Sequence, residues 1–148
     1  GGKAVKPGFS SEQIPVLIAR DRNGETFDAI LEGIDAEHLG AALKPVLGKD
    51  TLLCTDGSKA FKAMVKGAGI ARQDLNIKAG VGVKERVFHI QNVSAYDSRL
   101  KGWMQRFNGV ATRYLDSYLG WRRFLERHKE EAASPKSWLI EALGPAPR

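Results

Sequence analysis

Hydrophobic positions along this 148-residue chain change period several times, and each change marks an element. Residues 14–22 (IPVLIARDR) form an apolar run closed by charges, which predicts a buried strand whose start Pro15 confines to an edge. Asn23-Gly24 is a two-residue hairpin signal, and the returning strand spans 25–34, where Phe27, Ala29 and Leu31 alternate with more polar neighbours. Asp35 is a plausible helix cap, with His38 at the third position where a capping box carries Glu. The helix runs to about residue 47, with Leu39, Leu43 and Leu47 as its buried stripe and Pro45 fraying its last turn.

The next segment, TLLCTDG at 51–57, carries one carboxylate, Asp56, to the end of a short apolar strand, and Gly57 lets the backbone turn away at once. Ligands in α/β proteins gather at the carboxyl ends of strands, so Asp56 is placed for chemistry more than for packing. Ser58 caps a second helix over 59–68, with Phe61, Met64 and Val65 inward and Gly67 or Gly69 as its stop. Short strands are expected at 74–77 and 85–90, joined by a soft loop.

Beyond residue 91 the period is helical. Val93, Tyr96, Leu100, Trp103, Met104 and Phe107 predict a helix over 92–107, ended by Asn108-Gly109. A second, over 111–129, carries Tyr114, Leu115, Tyr118, Trp121, Phe124 and Leu125 on its apolar stripe, so that Trp103 and Trp121 both read as core residues. Ser134-Pro135 starts a short docking helix over 135–143. The order predicts an α/β domain with a mixed sheet flanked by helices. The divisions drawn are a linker or loop over 1–13, one domain over 14–130 and a tail over 131–148.

Composition narrows the function. A hydrophobic fraction of 43% suits one globular domain, and no run approaches the ~18 apolar residues of a membrane span. The single Cys54 excludes an intramolecular disulfide framework and agrees with a reducing cytoplasm, the expected location. Inside TLLCTD it reads as a small buried hydrophobe. The net charge of +6 points to an anionic partner. Its distribution says more: Arg99, Lys101, Arg106, Arg113, Arg122, Arg123 and Arg127 stand against only Asp116 and Glu126 between residues 98 and 127. Interleaved with Trp103, Phe107, Tyr114, Trp121 and Phe124, such a surface suits phosphates and stacked bases; the bland alternative is a solvated helix face.

One polar row stands off the first of these helices. Ser94, Asp97, Ser98 and Lys101 fall at i, i+3, i+4 and i+7 and share one face. If that face lies over the end of the Asp56 strand, carboxylates and a lysine converge as a Mg²⁺-dependent phosphoryl-transfer site requires. Spacing alone does not separate this from an ordinary exposed helix.

The run from His89-Ile90-Gln91-Asn92 through SRLKGW to RFNGVATRYLD resembles the C-terminal signature of bacterial insertion-sequence transposases, in the ISXO-like branch of the DDE class. LLCTDGSKAF is similar to that family's second catalytic block, and IPVLIARDR with NGETFDAIL to the hairpin before it. The resemblance covers roughly residues 3–127. It implies an RNase H-like fold, Mg or Mn as cofactor, DNA as partner, and a homo-oligomer in the transposition complex. By position, Asp56 corresponds to the second acid of the triad, and Ser94 falls where many members carry a Glu and some an Asn as third metal ligand. Lys101 matches the basic residue two helical turns further on, where it contacts DNA. His89 and Asn92 match the lead-in, in a structural capacity.

Two departures accompany the resemblance. The family's leading Asp lies on a strand upstream of the linker-like start, and neither Asp21 nor Asp28 of the hairpin replaces it, so the first catalytic strand is expected to be missing and this chain alone to be inactive. Ser94 is a neutral hydroxyl where charge is wanted; Asp97, one turn on, is the substitute, which makes Asp56 and Asp97 the candidate metal ligands. The expected function is DNA strand cleavage and strand transfer at insertion-sequence ends. The alternative is a non-catalytic DNA-binding or assembly remnant of a degenerate transposase.

Overall fold

The computed structural model describes residues 13–48, 50–55, 57–74, 83–84, 88–89, 91–129 and 134–144. Packing divides the chain into two compact units, Gly1–Gly109 and Val110–Arg148, a division that runs through the span 14–130.

In the first unit, β1 (Val16–Arg20) and β2 (Thr26–Ile30) pair antiparallel, with Leu17 opposite Ala29 and Ala19 opposite Phe27. The connection differs from the expected two-residue turn. Asp21 N–H donates to the Glu25 carbonyl at 3.0 Å and Gly24 N–H to the Asp21 carbonyl at 3.2 Å, with Gly24 at φ +89°. That is a three-residue loop closed by a left-handed glycine. The Asp21 carboxylate decides it, accepting from the N–H groups of Asn23 and Glu25, both at 2.9 Å.

The alternation sorts the hairpin into two faces. Leu17, Ala19, Phe27, Ala29 and Leu31 face a core completed by Leu39, Leu43, Met64 and Val65. Those four come from α1 (Ala36–Leu43) and α2 (Lys59–Ala68), which pack on each other. Leu43 is 1% exposed, and burying such a side chain contributes about 1.5–3 kcal/mol. The helix ends at Leu43 because Pro45 follows; its start is fixed by Asp35, whose carboxylate accepts from Glu37 and His38 N–H. α2 begins at Ser58 and stops at Gly69, φ +65°.

Between the helices runs β3 (Leu52–Thr55), parallel to β4 (Ala71–Asp74). β4 begins earlier than the expected 74–77, since its register sets Ala71 opposite Leu52; residues 75–77 lie outside the described residues. Of the expected strand over 85–90, residues 88–89 form β6 (Phe88–His89), which pairs antiparallel with β5 (Val83–Lys84); residues 85–87 and 90 lie outside the described residues. The expected single mixed sheet is likewise not what the described residues form. Parallel and antiparallel pairings are both present, but each sheet has two strands.

On the other face of the hairpin lies α3 (Gln91–Met104), continued by a 3₁₀ turn over Gln105–Phe107. Tyr96 is fully buried there, with the Arg20 guanidinium 5.6 Å from its ring centre. Trp103 meets Phe107 edge-on at 4.8 Å. Asn108 (φ +51°) and Gly109 (φ +110°) end the unit.

The second unit holds a 3₁₀ turn over Thr112–Tyr114, α4 (Leu115–Arg127) and α5 (Pro135–Leu143). α5 spans the residues that Ser134-Pro135 predicts. α4 is rotated from the expected stripe: Leu119 is 1% exposed, while Trp121 and Tyr114 stand half out in solvent. The covered row is Leu119 with the Arg122–Glu126 ion pair, whose side chains are 12% and 8% exposed at 2.9 Å separation. An internally neutralised pair can be covered, and that leaves Trp121 outside. Among the described residues no helix is long and apolar enough to cross a membrane.

Candidate functional site

A cavity of about 1190 Å³ lies in the first unit between β1, β3 and α3. β3 leads into it. Thr55 is 4% exposed, and its hydroxyl accepts from Gly57 N–H at 3.1 Å, with Gly57 at φ +78°. Asp56, between them in sequence, lies outside the described residues. Thr55 on one side and Asn92, Ser94, Asp97 and Lys101 on the other line this one cavity. The polar face of α3 and the strand that precedes Asp56 therefore border the same space.

Within that face the groups are already engaged with each other. Lys101 Nζ lies 2.6 Å from Asp97 Oδ2, with Lys101 72% and Asp97 35% exposed. Acid before base at i, i+4 is the favourable order and contributes only about 0.3–0.5 kcal/mol on an exposed helix. Ser98 Oγ donates back to the Ser94 carbonyl at 2.9 Å, and Ser94 itself is exposed. His89 falls in β6. Asp21 and Arg22, just beyond β1, line the cavity too. The sequence had set Asp21 aside as a hairpin carboxylate and read Arg22 as the end of a buried strand, so neither was assigned to the site.

Cys54, half-buried on the cavity wall, has its thiol pushed up by burial against a smaller lowering by Arg22. The raised pKa favours the thiol form over the thiolate at neutral pH.

A divalent cation needs several oxygen donors with surplus negative charge. Among the described residues no group of three or more His, Cys, Asp or Glu side chains could hold a metal ion. Asp97 has its charge answered by Lys101, and Ser94 offers a neutral oxygen, so the described donors do not by themselves fit Mg²⁺ or Mn²⁺.

The basic positions divide between the units. Arg99, Lys101 and Arg106 stand exposed on the first. On the second, the Arg113 guanidinium stacks 4.6 Å over the exposed Tyr114 ring, and Arg123 is half-buried on α4. Arg122 is committed to Glu126 beneath the surface and offers little to a phosphate.

These features describe an α/β domain with a polar cleft at the end of a strand and exposed basic helices. The model of one family, described as the ISXO2-like transposase domain, matches residues 2–124, and the chain belongs to that family. Comparison with curated proteins and with solved structures finds no match to the chain.

Proposed function

We propose that this protein is the RNase H-like catalytic domain of a DDE transposase that cuts and joins DNA strands at the ends of an insertion sequence. The family supports a DNA substrate. The observation that carries the reading further is the single cavity shared by the end of β3 and the row Asn92, Ser94, Asp97 and Lys101. In this reading Asp56 and Asp97 face the scissile phosphate, Lys101 and Ser94 orient it, and His89 and Asn92 position the start of α3. Arg99, Lys101 and Arg106 hold DNA on one unit, Arg113 and Arg123 on the other, and the protein works as a homo-oligomer on paired ends.

DDE transposases generally use a divalent metal. The described donors do not by themselves compose a site for one.

The test is a strand-transfer assay on the full-length gene product with a pre-cleaved element end and a plasmid target, in Mg²⁺ and in Mn²⁺. Asp56→Ala is expected to abolish joining while leaving DNA binding intact. Full joining by Asp56→Ala overturns the catalytic assignment. The Asp97–Lys101 pair favours one other reading, a DNA-binding remnant without catalysis. It is the correct one if the unaltered product never joins DNA and Ser94→Glu restores the reaction.

A further inference from the structure

Tyr114, Tyr118 and Trp121 fall at i, i+4 and i+7 and form one aromatic row along the start of α4. Two of the three rings stand half out in solvent, Tyr114 at 50% and Trp121 at 47% exposure. Tyr118 is half-buried between them, its ring centre 6.1 Å from that of Trp121. The guanidinium of the exposed Arg113 lies 4.6 Å from the centre of the Tyr114 ring. Hydrophobic side chains scattered singly over a surface are ordinary; a row of large rings on one helix face, with a cation stacked on its end, is not.

The surroundings select the occupant. Residues 110–129 carry five arginine or lysine residues and two carboxylates. The Arg122–Glu126 pair neutralises itself beneath the surface; of the rest, Arg113, Arg123, Arg127 and Lys129 stand against Asp116. Such an excess draws a polyanion. The core of a protein–protein contact is depleted of charge instead, whereas here a guanidinium sits on the row itself. Between the two forms of nucleic acid, stacking needs an open base face. A duplex covers each face with the next base pair and presents only edges in its grooves. An unpaired strand offers its faces, and aromatic and guanidinium planes stack on them whatever the base. At ~1.5 Å per helical residue, Tyr114 and Trp121 are about 10 Å apart, or roughly three steps of the ~3.4 Å base repeat.

We propose that the row from Tyr114 to Trp121, with Arg113 at its end, is a stacking platform for about four nucleotides of unpaired DNA. This rests on the reading of DNA as substrate and adds that the second unit takes a strand separated from its complement.

The test is fluorescence anisotropy of the full chain with three labelled probes: an oligothymidine of about twelve nucleotides, the same strand annealed to its complement, and an abasic strand that keeps the phosphates. Tyr114→Ala and Trp121→Ala are each expected to weaken oligothymidine binding about fivefold or more and to change duplex binding less than about twofold. Tyr114→Phe, which keeps the ring, is expected to bind as the unaltered chain does. The unaltered chain is expected to bind the abasic strand more weakly than the oligothymidine, and the alanine variants to bind the abasic strand as the unaltered chain does. Unchanged oligothymidine affinity in either alanine variant overturns the proposal. So does an equal loss on the duplex, which would make the row a structural support. Equal affinity of the unaltered chain for the abasic strand and the oligothymidine does so too, without any variant. Sedimentation as a dimer that Trp121→Ala dissociates, with oligothymidine binding unchanged, would make a second copy the occupant. Joining is read separately: if these affinities fail while Asp56→Ala still abolishes joining, the platform falls and the transposase reading stands.

Discussion

Asp97→Asn separates the two roles open to the polar face of α3. In the structure the Asp97 carboxylate holds Lys101 at 2.6 Å, so the lysine meets any phosphate already half answered. The substitution adds one unit to the net charge of +6 and releases the ammonium, which is 72% exposed. One additional phosphate contact steepens the slope of log K against log salt by about 0.9, worth roughly eightfold in affinity at 0.1 M salt, or ~1.2 kcal/mol. The lost helix pair costs at most ~0.5 kcal/mol of stability, so folding should be nearly unchanged. Fluorescence anisotropy on a labelled duplex over a series of salt concentrations reads both quantities. A double-mutant cycle with Lys101→Ala should remove the whole gain, because the gain is made through that side chain. Strand transfer should fall in the same variant if Asp97 also faces the scissile phosphate. An unchanged slope, or weaker binding, would refute the idea that Asp97 restrains Lys101 from DNA.

Two further predictions concern stability. Gly67, inside α2 with open space where a methyl group would stand, and Gly69, at φ +65°, should respond oppositely to alanine. Gly67→Ala is expected to stabilise by about 0.5–1 kcal/mol and Gly69→Ala to destabilise by about 1–2 kcal/mol in urea unfolding, and the same sign at both positions would be a refutation. Asp35 has its pKa lowered by hydrogen bonds from His38, first through its N–H and then its ring. A depressed carboxylate stabilises the fold above its unfolded value and loses that contribution as pH falls through the folded one. Asp35→Ala should therefore lower stability at neutral pH and narrow its difference from the unaltered protein below the ordinary carboxylate range, as urea midpoints across roughly pH 2–7 would record.

How far the sequence could be read depended on the physics behind each signal. The Asp35 and Ser58 helix starts were legible because each side chain satisfies a local backbone demand, whereas the stop of α2 was narrowed only to Gly67 or Gly69, and Gly69 takes it at φ +65°. The hairpin was legible too, but its loop length was not, since Asp21 reorganised a turn that Asn23-Gly24 alone would have made shorter. Trp121 was misplaced because hydrophobicity ranks tryptophan above arginine, whereas the Arg122–Glu126 pair hides its charges from solvent together. The polar row of α3 could be found by counting, and Tyr96 and Leu100 mark the buried side of that helix. That Lys101 is bound to Asp97 needed coordinates, because i, i+4 spacing permits the bond without requiring it.

Asn108 and Gly109, both left-handed, close the first unit within the stretch RFNGVATRYLD that marks the family resemblance. Handedness of the amino acids restricts such a pair of consecutive residues to very few letters. Part of a signature that looks like DNA chemistry is thus stereochemical spelling, written there so that the polypeptide can change direction. Those two letters would persist in a descendant that had lost every contact with nucleic acid.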